Sequence, residues 1–94
     1  MASLRTLKKE IDYCLEELVF DCDMAMYMQP GKENSIFGVM QKGVELRNEF
    51  YTKANNPSEP HNASLVRKYY TALRTELDER FGKLFEELSD INNK

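Results

Sequence analysis

The chain has 94 residues, 41% of them apolar and 31% charged, with a formal net charge of −3 and a pI near 5.2. That length fits one domain, and the apolar share argues against a disordered chain. The acidic balance argues against general nucleic-acid affinity, which needs surplus Lys and Arg to neutralise phosphates, and no apolar run reaches the roughly 18 residues of a membrane span.

Residues 3–28 read as a first helix with apolar side chains on two opposite faces. At about 100° per residue, Leu4, Leu7, Ile11, Cys14, Leu15, Leu18, Cys22 and Ala25 fall on one stripe. Tyr13, Phe20, Met24 and Tyr27 gather roughly opposite. A surface helix of a small domain carries one apolar stripe and a polar back. The second stripe therefore implies a second covering, either by a partner or as the buried flank of a thick bundle. In a three-helix bundle each helix keeps a broad solvent face, which makes an internal covering hard to arrange. Met24, Met26 and Met28 supply adaptable contacts of the kind found on permissive binding surfaces; alternatively, Met26 and Met28 plug the end of the core.

Cys14 and Cys22 lie in this helix about 12 Å apart along its axis, too far to bridge each other. Both sit on the inner stripe, where a free thiol behaves as a small hydrophobe. The expectation is two buried, reduced thiols in a cytoplasmic protein. The segment from Leu4 to Glu10 is already amphipathic, so no secretory leader is expected there.

Pro30-Gly31 stops the first helix. A second follows over residues 33–55, its stripe formed by Ile36, Val39, Met40, Gly43, Leu46, Phe50 and Ala54, with Phe37, Val44 and Tyr51 on a shoulder. Gly43 on this stripe either admits a neighbouring helix closely or is a weakness costing about 1 kcal/mol against Ala. Arg47 projects from the same stripe, either snorkelling to water or pairing with an acid such as Asp21. The segment from Asn55 to His61 holds two prolines and reads as a loop. Asn62 then caps a third helix, residues 62–92, with Val66, Tyr69, Tyr70, Leu73, Leu77, Phe81, Leu84, Leu88 and Ile91 on its stripe and Phe85 at one edge. The fold class predicted is all-α, a single up-down-up three-helix bundle, with the turns from Leu84 to Ile91 beside the Met-rich end of the first helix.

From Ala63 to Thr75 the third helix carries Arg67, Lys68 and Arg74 and no acid, whereas acids dominate from Glu76 onward. Together with Arg5, Lys8, Lys9, Lys53 and His61, this makes one end of the bundle basic and the other acidic. His61, Arg67 and Lys68 beside the Asn62 cap form an alternative site for an anion or small ligand; a solvated bipolar surface is the plainer account. Glu76 and Arg80 are spaced as an ordinary i,i+4 surface pair, and Glu45 and Glu49 lie on a polar face.

Signals for catalysis are poor. Two Cys and one His cannot complete a four-ligand zinc site, and no Glu-x-x-His element, glycine-rich phosphate loop or nucleophile elbow occurs. The expectation is a non-catalytic helical interaction or structural module with no cofactor and no metal. It self-associates as a homodimer, or binds a helical protein, through Tyr13, Phe20, Met24, Tyr27 and Phe85, and engages neither nucleic acid nor membrane.

Overall fold

The computed structural model describes residues 3–93. Three helices, α1 (Leu4–Met28), α2 (Glu33–Asn55) and α3 (Ala63–Asn92), run up, down and up, each packed on the other two. The result is a rod of 51 × 18 × 16 Å. Among the described residues no helix is long and apolar enough to cross a membrane.

Each helix end has a local cause. Ser3 Oγ accepts the N–H of Thr6 at 3.2 Å and so caps α1. Gly31, at φ +100°, turns the chain after Pro30 through a region that side chains avoid. Lys32 occupies the cap position of α2 without a side-chain cap, and the Glu33 carboxylate instead accepts the Gly31 N–H at 2.9 and 3.0 Å. That bond holds the Glu33 carboxyl below its ordinary range. Asn62 caps α3 by accepting the N–H of Leu65 at 3.1 Å.

The inner stripes meet along the rod axis. Leu7, Ile11, Leu18 and Cys22 of α1, Ile36, Val39 and Phe50 of α2, and Leu77 and Phe81 of α3 are all but completely buried. Fully burying a side chain such as Leu or Phe contributes about 1.5–3 kcal/mol, so these residues position everything else. At Gly43, α1 and α2 approach closely. A Cβ there would stand 2.6 Å from Leu18 Cδ2 and 3.2 Å from Leu15 Cδ1, which decides for the close-approach reading of this glycine.

Polar contacts lock the two ends. At one, the hydroxyls of Tyr69 and Tyr70 donate to the carbonyls of Lys53 and Ala54 in the last turn of α2, at 2.8 and 3.2 Å, and so tie α3 to the end of α2. At the other, the α1–α2 turn reaches α3: Lys32 Nζ donates to the Ile91 carbonyl at 2.8 Å and Gln29 Nε2 to that of Asn92 at 3.1 Å.

Four sequence expectations need correction. Arg47 pairs with Asp12, not Asp21: its Nε donates to Asp12 Oδ1 at 3.2 Å while its guanidinium lies 4.1 Å from the centre of the Tyr51 ring. The antiparallel register of α1 and α2 sets Gly43 against Leu15 and Leu18, so position 47 falls level with Asp12 and a full helical turn or more from Asp21. Glu49 is not on an idle polar face, and Glu76–Arg80 is not an isolated surface pair. Arg80 forks onto the Glu49 carboxylate across α2 and α3, and Lys53 Nζ sits 3.1 Å from both Glu49 and Glu76. These cations also cover the buried Phe50 ring, at 5.6 and 5.3 Å from its centre. Finally, Cys14 is half-buried rather than enclosed, whereas Cys22 is fully buried.

Candidate interaction face

Tyr13, Phe20, Met24 and Tyr27 all point away from the core, with 61, 64, 46 and 84% of their surface exposed. The cause is geometric. The α1 stripe from Leu7 to Ala25 is fully engaged by α2 and α3, and no further helix covers the opposite side. Met28, 71% exposed, belongs to the same surface rather than plugging the core, whereas Met26 packs against the core.

The row leans towards the seam between α1 and α3, and two clefts open along that seam. One, at the acidic end, is walled by Met24 and Met28 of α1 and by Phe85 and Leu88 of α3. Half-buried Phe85 therefore borders the row, and the Met-rich end of α1 does lie beside the last turns of α3. The second cleft lies half a rod away, between Lys9, Tyr13 and Cys14 on one side and Arg74 and Asp78 on the other. Arg74 reaches across to Glu10 at 2.8 Å and closes its floor.

Electrostatics along the face are graded. Arg5, Lys8 and Lys9 come first along α1, then Glu16, Glu17, Asp21 and Asp23, and no base occurs between Lys9 and Lys32. Glu16, Glu17 and Asp21 surround Phe20 directly. The Glu17 carboxylate beside Tyr13 raises the tyrosine pKa. Burial, then the charges of Asp78, Glu17 and Glu10, push the Cys14 thiol up to about 11. Burial, then Asp21 and Asp23, push Cys22 up to about 11 as well. Thiols held protonated are poor nucleophiles and poor metal ligands. Among the described residues no group of three His, Cys, Asp or Glu side chains is placed to hold a metal ion.

The alternative anion site lies away from this seam, at the start of α3. His61, Arg67 and Lys68 are exposed near the start of α3, and Lys53, assigned to the same basic end, is drawn into the ion pairs with Glu49 and Glu76. Asn62 spends its side-chain oxygen on the helix cap.

Sequence reasoning overlooked the charged members of the face. Tyr13, Phe20 and Tyr27 are spaced by seven residues, and Lys9, Glu16 and Asp23 each stand four residues before one of them. That alternation was present in the spacing but is invisible to a reading that follows only apolar residues. Comparison with known protein families, with curated proteins and with solved structures returned no match.

Proposed function

We propose that this chain is a non-catalytic protein-interaction module whose working surface is the outer face of α1 with the adjoining Phe85 edge of α3. One observation carries the reading: four large apolar side chains stand exposed in line along one helix, opposite a core that is already complete. Contiguous apolar surface of this kind marks sites of association. Its residue types fit, since aromatic residues and Met are enriched at interface centres and Tyr adds a hydrogen-bonding tip to a large apolar ring. The state of the Cys14 thiol, held protonated beside the face, suits a contact surface better than a nucleophilic one. Two unpaired thiols suit a reducing compartment, and we propose a cytoplasmic setting.

Phe20→Glu tests whether the face stands outside the core. Circular dichroism and thermal melting should give unchanged helicity and a melting temperature within a few degrees of wild type, because position 20 is exposed in the free chain and water screens the added charge from Glu16, Glu17 and Asp21. Loss of helicity would place Phe20 in the core and end the reading.

A further inference from the structure

Taking the outer face of α1 as an interaction surface, we infer that its occupant is a second copy of this chain, whose α1 lies antiparallel against the first. The inference rests on that functional reading and adds the partner and its direction.

Spacing defines the shape of the occupant. Tyr13, Phe20 and Tyr27 repeat every seven residues, and Lys9, Glu16 and Asp23 repeat at the same interval, four residues ahead of each. A seven-residue repeat along a straight helix follows a seam that drifts only slightly, the pattern of one helix packing on another at about 20°. The 25 residues of α1 make that seam about 37 Å long, so the complementary object is a helix of similar length.

Charge defines its direction. Bases lead and acids follow along α1, with no acid in the first turn and no base in the last. This order opposes the helix's own macrodipole, which favours the reverse by about 0.3–1 kcal/mol per well-placed charge. Local helix stability therefore does not account for it. A reversed copy of α1 does: it lays Arg5, Lys8 and Lys9 of each chain along the Asp21–Asp23 stretch of the other, twice, about one two-fold axis. A parallel copy would instead set Lys9 beside Lys9 and Asp23 beside Asp23.

The charges concerned are those left over by folding. Glu10 and Asp12, on the flanks of α1, are taken by Arg74 and Arg47. Lys9, Glu16, Asp21 and Asp23 form no ion pair among the described residues, and all are exposed. In the two reversed alignments that set Phe20 against the other copy's Lys9 or Glu16, Lys9 comes within about one turn of the other copy's Asp23. Its stem covers a tyrosine or phenylalanine ring while its ammonium stays in water. The two Glu16 carboxylates come within one turn of each other near the axis, a repulsion that keeps the pair weak. A specific pair buries at least about 1,000 Å²; the row alone falls short, and Met28 and Phe85 beside Met24 extend it.

Sedimentation equilibrium on the purified chain tests this, with circular dichroism confirming that each variant stays helical. Wild type should pass reversibly from 11.0 kDa to twice that mass within the micromolar range. Lys9→Glu and Asp23→Lys should each weaken self-association at least tenfold. An equimolar mixture of the two variants should recover wild-type affinity, because only the mixed pair sets opposite charges together at both positions. Glu16→Gln should tighten the pair. A wild type that stays monomeric at high micromolar concentration overturns the second copy, and the broader reading of the face then stands or falls on cross-linking to a different protein. A dimer indifferent to both reversals overturns the antiparallel arrangement alone.

Discussion

Cys22 and Cys14 differ by a rotation of about 80° about α1, and that rotation has chemical consequences. Cys22 lies within the core, whereas Cys14 opens onto the seam with α3. A thiol reagent at pH 8 should label Cys14 slowly and Cys22 only as fast as the bundle unfolds. Rapid labelling of both would mean that the inner face of α1 is wrongly placed. Both thiols are raised from an ordinary value near 9 to about 11, which sets the sign of an alkaline effect. Below pH 9 folded and unfolded chains both hold the protons, and stability is intact. Between about pH 9 and 11 the unfolded chain loses them first, so stability falls as pH rises, and Cys22→Ala should flatten that fall in a series of thermal melts. Gly43 gives a second residue-level prediction. Gly43→Ala gains up to about 1 kcal/mol of helix propensity but sets a methyl 2.6 Å from buried Leu18, and overpacking costs about 1–3 kcal/mol. The expected net effect in urea titration is a loss of about 1 kcal/mol; a gain would show that Leu18 moves aside freely.

Among the elements, what could be read from the chain was what local chemistry settles. Pro30-Gly31 and Asn62 mark helix ends because turn geometry and capping act within a few residues. The 3.6-residue stripes identified the buried side chains of all three helices because each helix needs one continuous face against the others. What escaped depends on which flank of a helix meets which neighbour, and at what height. Arg47 sits on the α2 stripe in sequence, yet only the antiparallel register of α1 and α2 brings it to Asp12 and Tyr51. Glu49 reads as polar surface until α3 supplies Arg80. The Tyr13, Phe20, Met24 and Tyr27 row was legible for the opposite reason: a face with no neighbour in the bundle depends on no register at all.

At the scale of the whole molecule, the bundle is a narrow rod with its core complete, one uncovered apolar row along its length and opposite charge at its two ends. Such an object gains by lying against another rod, since the row is desolvated and the ends find opposite charge in the same step. We propose that this face is covered when the protein works. Photo-cross-linking in living cells reads this directly. A benzophenone side chain is placed at position 20, and at position 79 on the exposed side of α3 as the control. One discrete adduct is expected from position 20, at the mass of two chains, and none from position 79. No adduct from position 20, or the same adducts from both positions, would mean that the face meets only water and would contradict that proposal.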